Sequence, residues 1–307
     1  MRGIDEARRL YSERGRELIH ERFGEYEGRI AVGLAGHGSQ CFGFDDELSR
    51  DHDFEAGFCL WLTDKDDLAF GVELSRAYRS LFPGGAAQRS ALAERGVGVR
   101  RISDFYRRYT GSDGAPQSAA QWLSLPSWAL AEATNGEIWR DDLGVFSGVR
   151  ETLLHGMPED VRRKKLAARV ITMAQTGQYN YPRCLRHGES GAAMLAVSLF
   201  VTAAAETIFL INRRHMPYYK WSLRALRSLP RLSDMADPLE FLLTGENGGE
   251  ADRLKEGLVE DICACVLAEL RADGLTQGGG DYLEPHAFAI QRGITDPAMR
   301  AMHIMEG

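Results

Sequence analysis

Two aspartates one residue apart, Asp51 and Asp53, carry the strongest chemical signal in the chain. If they open a strand, residues i and i+2 project to one face, and the two carboxylates stand side by side. Like charges held that close repel each other unless a cation sits between them. Upstream lies Gly36-His37-Gly38-Ser39, with eleven residues separating Ser39 from Asp51. Glycines let the backbone come close to a ligand, and N–H groups at a helix start point at anions. A carboxylate pair for Mg²⁺ beside a phosphate-cradling turn is what phosphoryl or nucleotidyl transfer requires.

Such a pair needs strands to hold it. Apolar residues at three- and four-residue spacing predict a helix over 4–23, and the run 29–35 predicts a strand ending at the Gly-Ser turn, which leads into a short helix. Residues 51–62 read as a second strand. Thr63 is then the N-cap of a helix over 64–81, which Pro83-Gly84-Gly85 ends. A third strand from Gly96, ended by Asp104, runs into a helix. A loop over 110–117, a helix over 122–131 and a short edge strand over 137–140 follow. From Phe146 onward strands become scarce, and helical patterns cover about 147–155, 159–177, 189–212, 216–228 and 250–273. The reading is an α+β chain: a small mixed-sheet domain over 1–145 and an all-helical bundle over 146–307.

Composition narrows the function classes. The net charge of −7 is spread along 307 residues, and no basic stripe of the kind that grips nucleic acid stands out. The densest basic run, Arg162-Arg163-Lys164-Lys165, reads as a solvated helix face. Five scattered cysteines without a CxxC pair argue against a zinc site or a disulfide framework and for reduced thiols in the cytoplasm. The N-terminus is charged from Arg2 and has no apolar signal core. The apolar stretch 191–211 is Ala-rich and carries Glu206, so it reads as a buried bundle helix rather than a membrane span.

A strand, a Gly-Ser turn and Asp51-His52-Asp53 opening the next strand resemble the DNA-polymerase-beta-like nucleotidyltransferases. A mixed α/β start followed by a helical half resembles the antibiotic nucleotidyltransferases of the kanamycin and streptomycin types. The words Gln178-Tyr179-Asn180-Tyr181 and Pro217-Tyr218-Tyr219-Lys220-Trp221 look closer to a group of uncharacterised bacterial nucleotidyltransferase-like proteins. The resemblance implies that Gly38 and Ser39 hold nucleotide phosphates and that Asp51 and Asp53 hold one or two Mg²⁺ ions. It also implies a third carboxylate, as metal ligand or general base. Asp104, at the end of the third strand, is the first choice. Glu206, isolated in the apolar helix where burial would raise its pKa, is the second. In the helical half, Tyr179, Asn180, Arg183, Lys220 and Trp221 set cations beside aromatics. Lys220 is the candidate phosphate contact there.

Blander readings stand beside these. Asp45, Asp46 and Glu47 read as a solvated loop, and His37 and His52 as structural, since hard Mg²⁺ prefers oxygen. Asp104 could cap a helix, Glu206 could be a paired buried acid, and Pro217 onward could be a packed helix start. The implied reaction moves a nucleoside monophosphate, AMP from ATP, onto a hydroxyl of a small-molecule acceptor. Adenylylation of a protein partner, or nucleotide binding without turnover, are the alternatives. Neither a membrane nor a nucleic-acid partner is expected.

Overall fold

The computed structural model describes residues 2–46, 57–82 and 97–307. Asp51, His52 and Asp53 lie outside the described residues. Four strands, β1 (Ala31–Leu34), β2 (Cys59–Leu62), β3 (Gly98–Arg101) and β4 (Glu137–Arg140), form one mixed sheet of order β3-β2-β1-β4. β1 is antiparallel to β2 and β4, whereas β2 and β3 run parallel. Gly33 pairs with Cys59, and Cys59 pairs with Gly98. The end of β1 therefore shares one end of the sheet with the beginnings of β2 and β3.

Alternation along β2 shows why both faces are covered. Leu60 and Leu62 point to one side, where Tyr11, Ile19, Phe23, Phe70, Leu74 and Tyr78 pack on them. Those residues come from the helical run 3–23 and from the crossover 64–80 that the parallel β2–β3 pair requires. Thr63 caps that crossover, its Oγ1 accepting from the Asp66 N–H at 3.2 Å. Trp61 points to the other side. It stacks on Phe146 with ring centroids 4.1 Å apart and meets Phe105 edge-on at 5.6 Å. Trp61, Tyr106 and Phe146 are fully buried, and the Tyr106 hydroxyl donates to the Phe146 carbonyl at 2.7 Å. Burial of each such ring contributes about 1.5–3 kcal/mol.

A large all-helical region follows the sheet. Its centre is the helix Ser190–Ile211, packed against Glu159–Met173, Ala236–Thr244 and Glu250–Ala272. Ser190–Ile211 is long and apolar enough to cross a membrane, but 67% of its most apolar window is buried inside the protein. Phe200, Ala204 and Ile208 lie at the heart of that core. Ala236–Thr244 and Tyr181–Arg186 are helices that the sequence reading left out.

Two compact units divide the chain, and they are discontinuous: 1–116 with 129–156, and 117–128 with 157–307. The basic run explains why 117–128 goes with the helices. The Lys165 ammonium donates to the Leu123 and Leu125 carbonyls at 3.1 and 2.9 Å, and the Met216 N–H donates to Ser127 Oγ at 2.6 Å. The expected solvated face is therefore corrected. Arg162, Lys164 and Lys165 are 4%, 0% and 7% exposed. Lys164 reaches Gln291 Oε1 at 3.0 Å and the His303 carbonyl at 2.6 Å, and Arg162 is held by Glu159 at 2.7 Å. A buried cation is tolerated when every donor finds an oxygen, and these three were legible only as charge.

Candidate active site

The Gly-Ser turn leaves the end of β1 and enters the short helix Ser39–Phe42, as its composition predicts. Gly36 and Gly38 take φ of 113° and 111°, a region that favours glycine. A Cβ on Gly36 would lie 3.0 Å from the Tyr109 hydroxyl and 3.3 Å from the Phe105 ring. Asn135 fixes the turn from a distant part of the chain. Its side-chain oxygen accepts the Gly36 N–H at 2.7 Å, and its NH₂ donates back to the Gly36 carbonyl at 2.7 Å. The carboxamide thus stands in for a neighbouring strand.

Beside the turn lies a cleft of about 760 Å³, lined by Ala35, His37, Arg100, Arg101, Asp104 and Arg108, among others. Its charge is mostly positive. Arg101 is paired with Asp67 at 2.7 Å, and Arg107 with Asp104 at 2.8 Å and also with Asp113. Arg100, at the middle of β3, has no ion pair among the described residues and is half-buried. A guanidinium in that setting offers several N–H donors to an oxyanion.

His37 sits between the two positive-φ glycines, its side chain 60% exposed. Its Nδ1 is 3.3 Å from Oε1 of Glu132, a carboxylate buried to 7% exposure on the helix Ser127–Thr134. Tyr109 lies close to both, and burial, reinforced by the Glu132 charge, pushes its phenol far up, so it stays a neutral hydroxyl. Burial likewise pushes the Cys59 thiol up to about 12. The His37–Glu132 pair escaped the sequence reading, which gave His37 a structural role. One signal was there: Glu132 is the only charge in Ala129-Leu130-Ala131-Glu132-Ala133-Thr134.

The remaining candidates are placed as follows. Asp104 lines the cleft but belongs to the helix Ile102–Thr110, in its first turn, rather than to the end of β3, and its side chain is 54% exposed beside Arg107. Gly38 and Ser39 form the start of the short helix after β1. Glu206, Lys220 and Tyr179 belong to the helical unit. Glu206 is a paired acid, 2.7 Å from Arg169, in a groove that Lys165 and Tyr218 also line. The Lys220 ammonium lies 5.6 Å over the Trp221 ring, and Arg183 lies 5.8 Å over the exposed ring of Tyr179. Among the described residues, no group of three or more His, Cys, Asp and Glu side chains could hold a metal ion. The carboxylates assigned to Mg²⁺, Asp51 and Asp53, are outside that set.

Comparison with known proteins adds one match. Residues 122–222, about a third of the chain, are similar to a family described as a domain of unknown function, DUF4037. The matched stretch contains Glu132, Asn135 and Glu206, and it excludes the Gly-Ser turn and the Asp51–Asp53 pair. No curated protein and no solved structure matches the chain.

Proposed function

We propose that the protein is a Mg²⁺-dependent nucleotidyltransferase of the DNA-polymerase-beta-like superfamily that transfers AMP from ATP to a hydroxyl of a small-molecule acceptor. One observation carries the reading. The glycine turn that ends β1 borders an arginine-lined cleft, at the same end of the sheet where β2 begins, and Asp51 and Asp53 precede β2 in sequence. In this reading residues 1–145 form the transferase domain and 146–307 the helical domain. Gly38 and Ser39 present backbone N–H groups and a hydroxyl to the phosphates, and Arg100 adds a charged donor. Two carboxylates one residue apart are a hard-oxygen donor set of the kind Mg²⁺ takes, so Asp51 and Asp53 would hold the ion. When bound, Mg²⁺ neutralises charge on the phosphates and on the leaving pyrophosphate.

The acceptor hydroxyl gives up its proton to a base as its oxygen bonds to the α-phosphorus, and pyrophosphate leaves with the electron pair of the bridging oxygen. Asp104, which lines the cleft beside Arg107, is the first choice for the third carboxylate that takes the acceptor's proton. The five free thiols fit a cytoplasmic setting. The test is pyrophosphate release from ATP and Mg²⁺ with candidate acceptors. Release that depends on a small-molecule acceptor supports the reading. Label from ATP on a protein band points instead to a protein acceptor, and tight nucleotide binding without turnover to a binder that does not catalyse.

A further inference from the structure

Three features that stand apart in the sequence meet in one groove of the helical unit: Lys165 of the basic run, the lone Glu206 of the Ala-rich helix, and Tyr218-Tyr219 after Pro217. The groove measures about 460 Å³, inside the roughly 300–1,000 Å³ typical of small-molecule sites. Every lining residue except Gly307 falls within 122–222, the stretch that matches the family model, although the pieces come from four separate places in the chain. All of them belong to the unit formed by 117–128 and 157–307.

Its walls and its floor differ in chemistry. Trp128, Tyr218 and Tyr219 present aromatic rings that are 43%, 44% and 71% exposed, and the two tyrosine rings lie 4.4 Å apart. Such rings offer a flat apolar body a surface to stack on. Charge sits on the floor. Lys165 is 7% exposed, and its ammonium donates to the Leu123 and Leu125 carbonyls at 3.1 and 2.9 Å. Both partners are neutral, and an ammonium has three donors, so one remains for a ligand. Among the described residues no carboxylate pairs with Lys165; Glu206 is engaged by Arg169 instead, at 2.7 Å. The Arg169 Nε, although that close to Glu206, is not aligned to hydrogen-bond with it, and Nη2 donates to the Gly307 carbonyl.

A buried cation without a counter-ion is costly, and an anion that reaches it supplies the missing charge. The Arg169–Glu206 pair is balanced, so the surplus is the single charge of Lys165, which suits a monoanion. We infer that this groove binds a small aromatic carboxylate, its carboxylate on Lys165 and Arg169 and its ring against Trp128, Tyr218 and Tyr219. The inference is independent of the transferase reading. It also accounts for the state of Lys165, which burial brings down to about 8, with Glu206 opposing the shift and Arg169 adding to it. The Tyr218 and Tyr219 hydroxyls are the other titratable groups that line the groove.

The test is calorimetry on the full chain with 2-naphthoate, its neutral isostere 2-naphthamide and the cation 2-naphthylmethylammonium. A hydrogen-bonded charge makes the carboxylate bind roughly 10- to 100-fold more tightly than the amide. Tyr219→Ala, at an exposed position, should weaken both by about 2- to 10-fold and keep their ratio. Glu206→Gln should tighten naphthoate, and Lys165→Met should bring it to the level of the amide. Linkage gives a readout that needs no variant. A bound carboxylate favours charged Lys165, so at pH 8 binding should take up as much as about half a proton per ligand, and at pH 6 almost none. Equal affinity for naphthoate and naphthamide, tighter binding of the cation, or no proton uptake at pH 8 overturns the assignment. So does failure of every probe to bind at millimolar concentration; if the chain then sediments as a dimer that Tyr219→Ala disrupts, the groove belongs to a second copy.

Discussion

Asn135→Ala removes both hydrogen bonds that pin Gly36. Gly36 is buried, so its N–H and C=O lose their partners without gaining water. A buried polar group left unpaired costs about 1–3 kcal/mol, and with two groups affected and some local relaxation the loss is about 2–4 kcal/mol. The unfolded chain loses nothing comparable, because an exposed Asn135 is solvated there. The cost falls locally on the turn, so backbone amide exchange is the direct assay. Peptides spanning 34–40 should exchange roughly 30- to 1,000-fold faster in the variant, since each 1.4 kcal/mol is a factor of ten. Asn135→Asp should lie between, because its carboxylate still accepts the Gly36 N–H but cannot donate to the carbonyl. Exchange within twofold of wild type in Asn135→Ala would refute the clamp. The turn would then be held by Tyr109 and Phe105 packing alone.

Two further outcomes follow from burial. Burial lowers the Lys165 ammonium from 10.5 to about 8, so the unfolded chain binds more protons between those values. Its contribution to stability therefore rises with pH across that window and is lost as pH falls back through 8. That gap is worth about 3 kcal/mol, so urea denaturation should show wild type gaining about that much on Lys165→Met between pH 8 and 10.5, and a flat difference would contradict it. Cys184 and Cys265 are part-exposed, whereas Cys41, Cys59 and Cys263 are buried. A thiol reagent on the native protein at pH 7.5 should label the first two and spare the others, including Cys59, whose thiol is pushed up to about 12; rapid labelling of Cys59 would show that the sheet opens.

Much of the scaffold was legible because it rests on local signals. Thr63 before an acidic turn, Glu137-Ile138-Trp139-Arg140 as an edge strand and the Ala-rich helix around Glu206 each follow from propensity, period and capping. The basic run was misread because periodicity reports charge and not its partners. Lys164 and Lys165 are buried only because carbonyls from 123, 125 and 303 arrive from elsewhere. The same limit hid the site. Gly36–Ser39 was visible as a turn, but its clamp at Asn135 and the carboxylate behind His37 come from a helix about a hundred residues away. Arg100 and Arg101 stood in a strand pattern with nothing to mark them as cleft residues until the β2–β3 pairing set them beside the turn.

The most direct test of the proposed function is Mg²⁺-dependent ATP binding by calorimetry, in wild type and in the Asp51→Asn, Asp53→Asn double variant. Wild type should bind ATP in Mg²⁺ and lose most of that affinity when the ion is chelated, and the double variant should match chelated wild type with or without the ion. Equal, Mg²⁺-dependent affinity in the two proteins would contradict the assignment of these aspartates, and with it the transferase reading.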